Sequence, residues 1–175
     1  MRTIYSITQK DIDPTYNEHD LEFVDRHAVR VVLLDKSNRV ALLYSSKRNY
    51  YKLPGGGVEG AESPAEAIAR ELLEEVGASA EVIGEIGRVD LWLAKSPKGT
   101  HQIDDAYLAK VVNNGSSPAY TVEEERDDAF SVVWIDGINE AIGLTNKGHD
   151  SSDDVVKFMT RRDSKVLTAA GEMLA

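Results

Sequence analysis

Residues 55–78 read GGGVEGAESPAEAIARELLEEVGA, and this stretch decides how the rest of the chain is understood. Gly55, Gly56 and Gly57 form a loop that tolerates φ > 0 and lets a ligand or ion approach the backbone. A helix is expected next, over 64–76. Ser63 is a good N-cap, Pro64 suits the first helical position, Glu66 completes an S-x-x-E capping box, and Gly77 is a natural stop. At about 100° per residue, Ala65, Ile68, Leu72 and Val76 fall on one side and are expected to pack on a sheet. Glu71, Glu74 and Glu75 fall on the other, with Arg70 as the adjacent cation. Like charges at such spacings destabilise an isolated helix by a few tenths of a kcal/mol per pair, roughly. Taken alone, three such carboxylates read as a solvated face. Beside a glycine loop they offer what Mg²⁺ prefers: hard oxygen ligands, in a shell shared with water and substrate phosphates.

The stretch resembles the Nudix box, G-x5-E-x7-R-E-U-x-E-E-x-G-U, where U is aliphatic. Gly56, Glu62, Arg70, Glu71, Leu72, Glu74, Glu75 and Gly77 fill their positions in register, and Ala78 takes the last one with a smaller side chain than usual. The resemblance covers residues 56–78. It implies an α/β fold, an α/β/α sandwich around a mixed β-sheet with the box as loop–helix–loop. It also implies a hydrolase that cleaves a phosphoanhydride bond in a nucleoside-diphosphate-linked substrate. By the same resemblance, Glu71, Glu74 and Glu75 ligate metal, Mg²⁺ with Mn²⁺ as a substitute, and one of them, most often the first Glu of the R-E pair, acts as base toward water. The backbone carbonyl of Gly55 is a further ligand, and Glu62 and Arg70 orient the carboxylates. The chemistry agrees: a metal neutralises charge on bridging and leaving oxygens and lowers the pKa of bound water, and a carboxylate then takes the proton.

Many relatives add a carboxylate in a later loop. Glu124 or Glu125 fits that role here, within an acidic run with Glu123, Asp127 and Asp128 for which a solvated loop is the plainer reading. Two subfamily marks downstream of the box are not met. Ala94 and Ser96 stand where a proline resembles ADP-ribose pyrophosphatases and a tyrosine resembles dinucleoside polyphosphate hydrolases, and Pro97 comes slightly late. A nucleoside triphosphate substrate follows by elimination. A Nudix-like domain that binds a nucleotide and regulates a partner without turnover is the alternative, but such domains usually show eroded boxes. Isomerase chemistry on an isoprenoid diphosphate leans on a thiol that this chain lacks.

The 175 residues are 42% hydrophobic and 29% charged, which fits one domain, 1–175, with a single sizeable core. No apolar run approaches the roughly 20 residues needed to span a bilayer, so no membrane partner is expected. The start, MRTIYSITQKDIDPTYNEHD, lacks the apolar core of a signal peptide, and a cytoplasmic location is expected. The absence of cysteine excludes disulfides and cysteine-ligated zinc. A net charge of −10 repels phosphate backbones over long range, so nucleic acid is not an expected partner, and a small anionic substrate needs a metal to mask its charge.

Aliphatic runs at 27–35 and 39–44, separated by Ser37-Asn38, read as a hairpin. Further strands are expected at 50–53, 80–94, 102–112 and 130–135, with SPKG at 96–99 as a turn. Helices are expected at 138–144 and 151–174, the second capped by Ser152 or Asp153 with Val155, Val156, Met159, Val166 and Leu167 as its apolar contacts. Residues 1–25 are weakly patterned and read as an edge strand, a homodimer contact or an arm. Lys47, Arg48, Tyr50 and Tyr51 precede the glycine loop; Arg48 and Tyr50, with Gly56, are candidates for holding substrate phosphate and base. His19, His27, His101 and His149 lack metal-ligand spacing and read as structural, and Trp92 and Trp134 read as core.

Overall fold

The computed structural model describes residues 1–17, 21–94, 98–114 and 130–175. The run at 27–35 becomes the inner part of β2 (Phe23–Leu34), buried continuously from Ala28 onward. Such a run fits a strand covered on both faces. It ends in a turn built by Asp35, whose Oδ1 accepts from the amides of Ser37 and Arg39 at 2.8 and 2.9 Å. Asn38 takes the left-handed position at φ 59°, which a short polar side chain tolerates. The chain returns as β3 (Val40–Ser45).

The expected hairpin is present, but its ladder is the single pair Leu34↔Val40. The two strands then diverge. β2 runs parallel to β6 (Gly99–Asn114), from Phe23↔Gly99 to Leu34↔Lys110. β3 pairs with β4 (Tyr50–Lys52) and, along its whole length, with β7 (Phe130–Ile135). The free edge of β2 is taken by the glycine loop: the amides of Val31 and Val29 donate to the carbonyls of Pro54 and Gly56 at 3.0 and 2.9 Å, and the Val58 amide donates to His27.

β5 (Ala78–Leu93) runs antiparallel to β6, and β1 (Thr3–Thr8) pairs parallel with β5 at the edge of the sheet. The seven-stranded mixed sheet has the order β1-β5-β6-β2-β3-β4, with β7 on β3. Short α1 (Gln9–Ile12) follows β1; the remaining helices are α2 (Pro64–Glu75), α3 (Ile138–Asn146) and α4 (Asp154–Leu174). One face of the sheet packs Val32, Leu34, Leu42, Val89, Leu91 and Leu108 against Phe158, Val166, Leu167 and Ala170 of α4, with Ala141 of α3. The other packs Val29, Val31, Leu33 and Ala109 against Ala67, Ile68 and Leu72 of α2. This is an α/β/α sandwich. Among the described residues, no helix is long and apolar enough to cross a membrane.

Three expectations need correction. In α2, Ala65 is exposed and Ala67 is the buried residue; the buried face also takes in Glu71 and Glu75. In α4, Val155 and Met159 are only half-buried, while Phe158 and the polar residues Thr160, Arg162, Asp163 and Ser164 are buried. Trp92 is half-buried at the end of the sheet, stacked on His101 with 3.8 Å between ring centres, and departs from the core reading, whereas Trp134 packs against the α2-side core under the guanidinium of Arg39. The two helix misreadings have one cause: helical periodicity shows which residues share a face, but not how far the neighbouring elements extend over it.

Candidate active site

The site is assembled from the glycine loop, the end of β4 and one side of α2. Ser63 accepts from the Glu66 amide, and the Glu66 side chain returns to the Ser63 amide, so the helix starts with both groups satisfied. That start directs Arg70, Glu71, Glu74 and Glu75 toward the loop about two to three turns later. Two glycines there allow the close approach, Gly55 to backbone and Gly56 to a side chain. Gly55 has φ 126°, and a Cβ on it would overlap the Val29 carbonyl; a Cβ on Gly56 would overlap the Glu71 carboxylate.

Arg70 is the brace. Its Nε donates to Glu62 Oε1 at 2.9 Å, Nη2 donates to Glu62 Oε2 at 3.1 Å and to the Gly57 carbonyl at 2.8 Å, and Nη1 donates to Glu71 Oε1 at 2.8 Å and Glu74 Oε2 at 3.4 Å. One planar fork thus ties the loop to three carboxylates, a geometry that lysine cannot reproduce. Glu75 is fully buried. Its Oε1 meets Lys52 Nζ at 3.0 Å and its Oε2 accepts from the Gly55 amide at 2.6 Å.

Burial, and then the charge of Glu75, push the Glu71 carboxyl above its ordinary pKa although Arg70 pulls the other way. The Arg70 hydrogen bond, followed by the Glu59 amide, holds Glu62 below the usual carboxylate range, and the Glu62 hydrogen bond leads the rise in Arg70. Glu71 and Glu75 are buried and Glu74 is part-exposed, so the plain reading of these carboxylates as a solvated face does not describe α2. The donor set suits a hard divalent cation: clustered, like-charged carboxylate oxygens, two of the three carboxylates buried, where added positive charge lowers the energy. As the side chains stand, no group of three or more His, Cys, Asp or Glu among the described residues is arranged to hold a cation. Arg70 and Lys52 take up the carboxylate oxygens instead.

The other candidates are scattered. Arg48 pairs with Asp153 at the start of α4 at 3.4 Å. Tyr50 is buried, edge-on to Phe130, with its hydroxyl 3.5 Å from Met159 Sδ. Tyr51 packs on Tyr44. His101 is held between Asp25 and Asp90 at 2.9 and 3.3 Å. Glu123, Glu124, Glu125, Asp127, Asp128, His19, Ser96 and Pro97 lie outside the described residues.

Sequence reasoning missed Lys52 and a buried charge network behind the loop. Asp104 is fully buried, 3.2 Å from Arg30 Nη2 without hydrogen-bond geometry on that oxygen, and 3.4 Å from Arg162 Nη1. Arg162 Nε donates to Asp163 Oδ1 at 2.6 Å, and Asp163 Oδ2 accepts from the Leu53 amide at 2.8 Å, two residues before Gly55. The available signals were slight: a lone arginine inside HAVRVVLLD, an aspartate pair inside a strand, and an inward lysine just ahead of the glycines.

A mixed sheet between two helix layers, with this loop and helix laid along the inner strand β2, defines the molecule as an α/β/α sandwich protein. Residues 24–156, well over half of the chain, match the NUDIX domain model, and the protein belongs to that family. An RNA pyrophosphohydrolase from Ruthia magnifica subsp. Calyptogena magnifica is 35% identical over 68 residues, which is 39% of this chain and 38% of that protein. The chain therefore spans about two fifths of that relative. An RNA pyrophosphohydrolase from Shewanella oneidensis is 25% identical over 130 residues, 74% of this chain and 67% of that protein. Among solved structures, a NUDIX hydrolase from Nitrosomonas europaea shares the fold at a TM-score of 0.58 and 20% identity, covering 85% of this chain and 90% of that one.

Proposed function

We propose that the protein is a divalent-metal-dependent hydrolase that cleaves a phosphoanhydride bond in a nucleoside-diphosphate-linked substrate. The observation that carries this reading is the burial of Glu71 and Glu75 against the glycine loop, with Arg70 bracing the complete box around them. Glu71, Glu74, Glu75 and the Gly55 carbonyl would hold Mg²⁺ or Mn²⁺. When bound, that ion supplies charge neutralisation at the bridging and leaving oxygens and a more acidic water. The chain does the rest. Arg70 and Glu62 orient the carboxylates, and the backbone at Gly55 and Gly56 admits close approach. Glu71, the first glutamate of the Arg70-Glu71 pair, would take the proton from the attacking water.

The substrate class we favour is a triphosphate. A free nucleoside triphosphate follows from the absent subfamily marks, and the names of the two relatives add RNA as a carrier of the cleaved group. The net charge of −10 favours the smaller ligand. The test is a panel of nucleoside triphosphates, ADP-ribose, dinucleoside polyphosphates and 5′-triphosphorylated RNA, assayed with Mg²⁺ and with Mn²⁺, products separated by chromatography. One class should turn over, and exhaustive EDTA should stop it. Hydrolysis persisting in verified metal-free buffer contradicts the metal requirement. Stoichiometric nucleotide binding with no turnover across the panel replaces the enzyme with a binding module.

A further inference from the structure

Lys52 lies outside the box, at the last position of β4, yet its side chain enters the carboxylate cluster. Its residue is 9% exposed, its Nζ stands 3.0 Å from Glu75 Oε1, and the same ammonium lies 4.4 Å from the centre of the Phe130 ring. The partner oxygen belongs to the most deeply buried carboxylate of the site, whose other oxygen is already engaged by the Gly55 amide. Resting on the hydrolase reading above, we propose that Lys52 is a substrate-phosphate contact, kept in place before binding as the counter-ion of Glu75.

The argument is one of charge. A divalent cation that takes Glu75 as a ligand competes directly with the ammonium for Oε1. Once that carboxylate turns to the cation, Lys52 is left nearly buried, close to a second positive charge, with the Phe130 ring as its remaining support among the described residues. A buried charge without a partner is strongly unfavourable, and the ring compensates only in part. The anion that the reaction brings is the substrate's phosphate, and a lysine ammonium with three rotatable donors meets phosphate oxygens well. Lys52 therefore opposes metal binding in the free protein and favours phosphate binding in the metal-loaded one. A residue that merely props up Glu75 would have the opposite first effect, since its loss would disorder a ligand and weaken the metal.

The test uses the full chain with Mn²⁺ and inorganic pyrophosphate as probes. In Lys52→Met, Mn²⁺ affinity measured by calorimetry or electron paramagnetic resonance without substrate should rise about tenfold, and pyrophosphate affinity at saturating Mn²⁺ should fall about tenfold. Lys52→Arg, which keeps the charge, should stay near wild type for Mn²⁺. Equal or weaker Mn²⁺ binding, or unchanged pyrophosphate binding, in a Lys52→Met protein that melts like wild type overturns the proposal. Should that variant fail to fold, the wild-type Lys52 ammonium resonance in a ¹⁵N-lysine sample decides. It should move on adding Mg²⁺ and again on adding pyrophosphate, and a stationary signal overturns the idea. If wild type binds no Mn²⁺ at all, the hydrolase reading fails as well. If wild type binds Mn²⁺ and turns over while Lys52→Met matches it, only the role of Lys52 fails.

Discussion

Arg70 shows what a single side chain decides here. It reaches Glu62, Glu71, Glu74 and the Gly57 carbonyl with one fork, so its shape matters as much as its charge. Arg70→Lys keeps the charge and loses most of those bonds. We expect a fall of about 10–100-fold in activity or metal affinity, with a thermal melt close to wild type; kcat near wild type would mean that the carboxylates orient themselves. The identities of these residues were legible in the sequence, because the box spacing is strict. Their surroundings were not. Glu71 and Glu75 are covered by residues 52–57 and β2, segments whose approach no helical periodicity encodes.

At the scale of elements, α2 serves two masters. Its apolar side holds the sheet through Ala67, Ile68 and Leu72, while an adjoining strip carries the chemistry. Leu72 is 1% exposed, so Leu72→Ala should cost roughly 2–5 kcal/mol through the cavity it leaves. Ala65, exposed in the first turn, should accept Ser within about 0.5 kcal/mol. Denaturant titrations of the two variants check the face assignment; equal losses would contradict it. The helix was legible because its cap, its first-turn proline and its terminal glycine are local signals. The pairing of β2 was not, since a hairpin turn announces that two strands meet but not how long they stay together. Here they separate after Leu34↔Val40, and the glycine loop occupies the vacated edge.

Across the whole molecule, Arg30, Asp104, Arg162 and Asp163 join β2, β6 and α4 to the backbone just ahead of the loop. Burial opposes ionisation of Asp104, but Arg30 and Arg162 outweigh it and hold the carboxyl below its usual range. Asp104→Ala leaves two buried guanidinium groups short of a partner and should destabilise the fold by roughly 3–5 kcal/mol, read by chemical denaturation. A loss under about 1 kcal/mol, the scale of an exposed pair, would mean that water reaches this cluster. The network was barely legible in the sequence because Arg30, Asp104 and the Arg162-Asp163 pair lie far apart along the chain, and only the fold brings them together.

The central claim is that Glu71, Glu74 and Glu75 act as one metal-binding and proton-accepting unit. The most direct measurement is kcat at saturating Mg²⁺ for Glu71→Gln, Glu74→Gln and Glu75→Gln, on whichever panel substrate the wild type hydrolyses. Loss of a proton acceptor is typically worth about 10²–10⁴-fold. Each single change should lower kcat strongly, and Glu71→Gln/Glu75→Gln should lose far less than the product of the two single losses, because the residues work together. Three folded single variants that keep near wild-type kcat would contradict the account.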